Sequence, residues 1–459
     1  MTNEHLTIYP QRQYLFAMTK KEYARRRSYL VEQMGEGTIA ILPSASVKSR
    51  NRDVDHHFRQ DSDFYYLSGF NEPEAVLVII PGRKHGEAVL FCRERDPSKE
   101  MWDGFIAGPD RVTDILGVDD AFPISDIDDI LPGMIEGTDK VYYSMGLNAQ
   151  FDTQVMEWIN VIRSKVRSGA HPPGEFVALE HALHELRLFK SAAEIKTMGQ
   201  AAEIAAQGHI KAMQQCREGL FEYHLESTII HSFMNEGARF VAYPSIVGGG
   251  DNGCTLHYID NHSVLKNGDL VLIDAGCELD CYASDITRTF PVSGKFSPEQ
   301  AQLYQIVLDA QLAAIEAVKP GNHWNHPHEA AVNVIAQGLL DLGLLAGTLE
   351  DAIENETYKS FYMHRTGHWL GLDVHDVGEY KVDGEWRLLE PGMVLTVEPG
   401  IYIAPSCTDV DERWRGIGIR IEDDVVVTKT SHKILSKSVP KTIKDIEALM
   451  AQDVNGSSL

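Results

Sequence analysis

The stretch that most limits how this chain can fold is DLVLIDAGCELDCYASDITRTFPV, residues 269–292. Its Leu270–Ile273 run reads as a buried strand, yet Asp274 closes that strand and Asp285 follows within the same segment. The two acids are symmetric about Leu279-Asp280, so an antiparallel hairpin here predicts that they face one another, with Cβ atoms about 4.5–5.5 Å apart. Two carboxylates that close cannot both stay ionised without positive charge between them. A metal ion supplies that charge. The plainer alternative is a turn cap for one acid and an ion pair with Arg288 for the other.

Three further features favour the metal. LTVEPGIYI ends an apolar strand with Glu398, and GIGIRIEDDVVV alternates Ile417, Ile419 and Ile421 with Gly418, Arg420 and Glu422. YMHRTGHWLGLDVHDVG gathers His364, His368 and His375. The HxxxH of His364 and His368 is not the zinc-protease helix, because Arg365 stands where that motif has its Glu and Gly367 opposes a helix. Asp274, Asp285, Glu398 and Glu422 with a single imidazole form an oxygen-rich, hard donor set. It suits Mn²⁺, with Co²⁺, Fe²⁺ or Zn²⁺ as alternatives, in a two-metal site.

At 459 residues the chain exceeds what one core normally serves, so two domains are expected. SGAHPPGEF reads as a linker, which gives an α/β domain over 1–175 and a larger mixed α/β domain over 176–459. In the first, a helix at 19–34 precedes short apolar runs (TIAILP, DFYYLSGF, AVLVIIPG, EAVLFC, KVYYS) and a helix near FDTQVMEWINVIRSKV. In the second, long helices break near Ser191, strands run from Ala242 to Phe290, helices cover about 298–318 and 327–342, and a strand-rich block spans 360–428.

With 42 Lys+Arg against 67 Asp+Glu, the formal charge of -25 repels phosphate backbones and anionic lipid. Neither nucleic acid nor a membrane is expected as a partner. The N-terminus lacks a basic start before an apolar core, and no window approaches a spanning helix, so the chain reads as cytoplasmic. Six dispersed cysteines without CxxC pairs read as reduced thiols. GGGDNG at 248–253 satisfies GxGxxG literally, but no helix of adequate length follows to cradle a phosphate, so it reads as a tight turn. GNHWNHPHEAA, with His323, His326 and His328, reads as a solvated loop entering a helix with Pro327 near its first turn.

Taken together, the blocks RQDSDFYYLSGFNEPEAVL, ELRLFKSAAEI, NGCTLHY, LVLIDAGCELDCYASDITRTFPV, HWLGLDVHDVG, LEPGMVLTVEPGIYIAP and RGIGIRIEDD resemble the pita-bread metallopeptidases, a family that includes aminopeptidase P, prolidase, methionine aminopeptidase and creatinase. The likeness runs along nearly the whole chain and follows the aminopeptidase P branch. It implies a creatinase-like α/β domain followed by a catalytic domain with a curved, mostly antiparallel sheet flanked by helices. It further implies an Xaa-Pro aminopeptidase, which releases the N-terminal residue from peptides with proline second through a hydroxide shared by two Mn²⁺ per subunit. A dimer or tetramer is expected on the same ground.

Carried over by motif, the resemblance implies Asp274, Asp285, His368, Glu398 and Glu422 as metal ligands, with Asp285 and Glu422 shared between the ions. His257 and His375 would steady the tetrahedral intermediate, His364 would shape the proline side, and Glu398 would relay a proton. Arg420 would hydrogen-bond the ligand carboxylates and Tyr243 would lie near the substrate's first residue. Trp102 resembles an aromatic that reaches a neighbouring subunit's site. Metal-free scaffold relatives lose ligand acids, whereas all five ligands stand here. Prolidase, restricted to dipeptides, remains the rival within the enzymes.

Overall fold

The computed structural model describes residues 18–452, which divide into two compact units, one through Arg187 and one from Leu188. The first is built on a six-stranded sheet in the order Asp120–Pro123, Ala88–Cys92, Val76–Ile79, Thr38–Pro43, Lys140–Tyr142, Glu175–Val177. Its three middle strands pair antiparallel and its outer pairings are parallel. TIAILP, VLVI and AVLFC are buried almost throughout, which is why they read as continuous apolar runs rather than alternating ones. The helix Ala149–Ser164 adds Val155, Trp158, Ile159 and Ile162 to this core. The strand after Pro172-Pro173, Glu175–Val177, still pairs within the first sheet, and the units meet inside the helix Glu180–Leu188.

In the second unit, Ser191 caps the helix Ala192–Gln215 in a reciprocal box with Glu194. The same Glu194 accepts a 2.9 Å hydrogen bond from the Tyr282 hydroxyl, tying the helix start to the acid-bearing hairpin. Short antiparallel sheets follow: Ile246–Gly249 with Leu270–Asp274 and Thr287–Pro291; Val394–Val397 with Asp423–Val427 and His432–Ile434; Gly400–Ile403 with Ile417–Arg420. The helices Glu222–Asn235, Pro298–Ala317 and His326–Asp341 share one apolar core with these strands.

The hairpin corrects one expectation. Asp274 pairs with Thr287, not Asp285. Asp280 and Cys281 both have positive φ (48° and 66°) and form the two-residue turn between Leu279 and Tyr282, as a type I′ turn requires. The centre of the hairpin therefore lies one residue later than Leu279-Asp280, and every partner moves by two. Asp285 sits in the irregular Ser284–Ile286 stretch instead. Gly276 is dictated here, because a Cβ would lie 1.7 Å from the Ser284 carbonyl oxygen. The predicted alternation over 417–422 is also not an inside and an outside, since both faces are buried. Gly418 lies beneath the 3₁₀ turn Gly250–Cys254, where a Cβ would meet the Gly253 oxygen at 2.1 Å. That turn is the glycine-rich GGGDNG segment, and no long helix follows it.

Candidate metal centre

The acids arrive from separate strand ends. Asp274 ends Leu270–Asp274, Asp285 precedes Thr287–Pro291, Glu398 follows Val394–Val397, and Glu422 falls between Ile417–Arg420 and Asp423–Val427. With His368 they line one cavity of about 1250 Å³. Asp285, His368 and Glu422 bring ligand atoms within 4.8 Å of one another. His368 Nε2 lies 3.3 Å from Asp285 Oδ2 and 3.7 Å from Glu398 Oε1, while its Nδ1–H donates to the Trp369 carbonyl at 2.9 Å. That bond fixes the ring so that Nε2 faces the acids.

A group of supporting side chains holds the carboxylates. Arg420 donates to Asp274 Oδ2 at 2.7 Å, to the Tyr402 oxygen at 2.9 Å and to Thr287 Oγ1 at 3.2 Å. Thr287 in turn donates to Glu422 Oε2 at 2.7 Å. Thr396 Oγ1 donates to Glu398 at 3.2 Å. The Tyr243 oxygen lies 2.5 Å from both Asp274 Oδ1 and Asp285 Oδ1. A phenol has one proton, so only one of these two can be its own donated bond at any moment.

Burial first, then the charges of Asp285, Glu398 and Asp274, push the Glu422 carboxyl well above its ordinary range. Burial likewise raises Glu398 to about 7, with His368 opposing and Asp285 adding, and raises Asp274 against Arg420. Burial disfavours the charged form of His368, but its bond to Asp285 and the Glu398 charge outweigh this and lift it to about 9. One guanidinium and one imidazolium do not balance four carboxylates that are buried or half-buried. The donor set therefore fits divalent cations, which would replace protons at these groups.

Family models described as "Metallopeptidase family M24" and "Aminopeptidase P, N-terminal domain" match residues 196–429 and 23–142. The chain belongs to metallopeptidase family M24. It is similar to the Xaa-Pro aminopeptidase of Escherichia coli K12, with 46% identity over 94% of this chain and 98% of that one. The structure of Pseudomonas aeruginosa aminopeptidase PepP shares 62% identity and a TM-score of 0.94, covering 95% of this chain and 98% of that one. A variant of Escherichia coli aminopeptidase P in complex with substrate superimposes with a TM-score of 0.92 at 46% identity, over 94% and 98% of the two chains.

In this M24 core, Tyr243, His257, His364, His375 and Arg420 line the same cavity as the four acids and the His368 imidazole. His375 lies edge-to-face on His368, ring centres 4.3 Å apart. His364 donates from Nδ1 to the Arg365 carbonyl at 2.7 Å and takes the Tyr402 hydroxyl on Nε2 at 2.9 Å. Burial, with Arg420 adding, lowers it to about 4, so it is neutral. Trp102 does not join them: it lies in the first unit on the helix Pro97–Asp103, 87% exposed.

Several groups escaped the sequence reading. Arg288 pairs with Asp423 at 2.8 Å rather than with either hairpin acid, and Lys441 joins them at 2.6 Å. Asp424 accepts the Asp285 backbone N–H. The paired DD of RIEDD was the only signal for both. Trp324, Tyr380 and Trp386 wall the cavity, and nothing in their spacing marked them.

The histidines at 323–328 are only partly the solvated loop expected. Pro327 does open the helix His326–Asp341, but His328 turns inward to Thr366 at 2.8 Å and burial lowers it to about 3. His323, His326 and Glu329 could together hold a cation. Yet Nδ1 of each ring accepts a backbone N–H, His326 from His323 at 2.9 Å and His323 from Asn325 at 3.2 Å. The ring protons then occupy Nε2, and the stacked rings act as a helix-entry cap.

Proposed function

We propose that this M24 peptidase hydrolyses the bond between an N-terminal residue and a following proline, with two Mn²⁺ ions held by Asp274, Asp285, His368, Glu398 and Glu422. The observation that carries the reading is the convergence of four carboxylates, Asp285 and Glu422 buried and Asp274 and Glu398 half-buried, and one oriented imidazole on a single cavity. All five side chains would hold the ions, with Asp285 and Glu422 within reach of both, Asp274 serving one and His368 and Glu398 the other. Bound there, the cations would lower the pKa of a shared water and polarise the scissile carbonyl.

The chain's own residues supply the rest. His257 and His375 border the cavity and are read as donors to the developing oxyanion. Glu398, steadied by Thr396, is read as the group that passes a proton to the leaving nitrogen. Proline's nitrogen carries no N–H and its ring fixes φ, so a wall that packs the ring selects it where a donor-seeking site would not. Trp324, Val374 and Tyr380 give the cavity such a wall.

Met101 and Trp102 are 81% and 87% exposed on one short helix, which supports assembly into a dimer or tetramer. The strongly acidic balance supports small cytoplasmic peptides as substrates over polyanions.

The test is to strip the protein of metal, restore Mn²⁺ and compare Xaa-Pro, Xaa-Pro-Yaa and Xaa-Ala-Yaa peptides. Hydrolysis of the two proline peptides with the alanine peptide spared is expected. Cleavage of Xaa-Pro alone would mark a prolidase, and inertness towards both proline peptides would overturn the reading.

A further inference from the structure

His257 stands on residues 255–263, which form neither helix nor strand and are largely exposed. Such a stretch should wander, yet a histidine that is to meet a reacting carbonyl must be held to within a fraction of an ångström. Two buried side chains beneath the loop provide that restraint. Asn261, at φ 50°, accepts the Val247 N–H at 3.0 Å and donates to the Ser245 carbonyl at 2.9 Å. Glu222, at the start of the helix Glu222–Asn235, is fully buried.

The Glu222 carboxylate is saturated with donors. Its Oε1 accepts from Gly249 N at 2.8 Å and Asn252 Nδ2 at 2.9 Å; its Oε2 accepts from the Tyr258 hydroxyl and from Ser263 N, both at 2.8 Å. One side chain thus ties together a helix start, the end of Ile246–Gly249, the 3₁₀ turn and both halves of the exposed loop. Tyr258 follows His257 directly, so its anchored ring points inward while His257 faces the cavity. Leu256 and Tyr258 also pack on Ile246, Leu272 and Tyr402, and Ile246 is the strand partner of Asp274.

We infer that Glu222 is a positioning residue for His257, fixing the loop that presents this histidine to the substrate. The inference rests on the peptidase reading of the cavity. A glutamine at 222 has one acceptor oxygen, and its NH₂ would confront one pair of the four donors, so the loop should loosen while the acids stay in place.

Glu222→Gln and Tyr258→Phe are each made in the native and in the His257→Ala background. Metal per chain, kcat, KM and the rate of proteolysis within 255–263 are then measured on Mn²⁺-loaded protein. In the native background Glu222→Gln is expected to lower kcat about tenfold with metal content unchanged. In the His257→Ala background its further effect should fall below about twofold. Equal losses in both backgrounds, or loss of metal together with activity, would overturn the inference. Tyr258→Phe removes one donor, should show a smaller loss with the same dependence on His257, and decides the question if Glu222→Gln does not fold. Should His257→Ala itself keep full activity, the role given to His257 fails. Proteolysis then still decides on the clamp: faster cleavage in Glu222→Gln upholds it and an unchanged rate refutes it.

Discussion

In the first unit, Arg26 and Arg27 lie buried, and each guanidinium donates to a nearby backbone carbonyl, Tyr66 and Leu67 respectively, at 2.9 Å. Asp63 likewise meets Arg187 at 2.6 Å. In the second unit, Arg288, Asp423 and Lys441 are matched in the same way, but Asp274, Asp285, Glu398 and Glu422 are not. Those four converge, and among the described residues only Arg420 and His368 form ion pairs with them. Burying unmatched charge opposes folding. The first unit therefore uses its polar interior to hold its shape, while the second carries an electrostatic cost that bound cations relieve.

The largest expected effect that separates the two is Glu422→Gln or Asp285→Asn. Each should abolish both bound metal and turnover, because a neutral amide bridges two cations poorly; metal analysis beside a peptide assay reads both. Retained turnover with full metal content would sink the ligand assignment. Next comes Phe91→Ala, fully buried in the first unit, which should destabilise the fold by about 3–5 kcal/mol. Metal per folded chain and kcat should not move, and a loss of metal here would erase the contrast. Smallest is a pH trend. Burial raises Glu398 from 4.5 to about 7, so the metal-free fold keeps a proton that the unfolded chain loses. Stability without metal should then fall as pH rises through that window. With Mn²⁺ the trend should flatten or reverse in thermal melts, since cations bind the deprotonated groups.

How much of this could be read from the chain follows from how local each signal is. The four cavity acids stood out because an acid that ends an apolar run contradicts its neighbours, whereas the choice of His368 among three nearby histidines came only with the family resemblance. The hairpin register was misread because nothing in the letters marks Asp280 and Cys281 as a positive-φ pair; glycine or asparagine would have. Glu222, Tyr402 and Thr287 were missed because these partners lie 18 or more residues away: Tyr402 meets Arg420 18 residues on, Thr287 meets Glu422 135 residues on, and Glu222 meets Gly249 27 residues on. The first sheet was legible as strands but not as an order, since a mixture of parallel and antiparallel neighbours leaves no trace in composition.

The most direct measurement counts the protons released when Mn²⁺ binds the stripped protein at pH 6.5, from calorimetry in buffers of different ionisation enthalpy. His368, held up to about 9, carries its proton there before metal binds, Glu398 near 7 carries most of one, and burial favours the neutral form of Glu422. The account predicts release of at least about two protons per chain. No net release, or uptake, would show that these acids were already charged in the buried site and would contradict it.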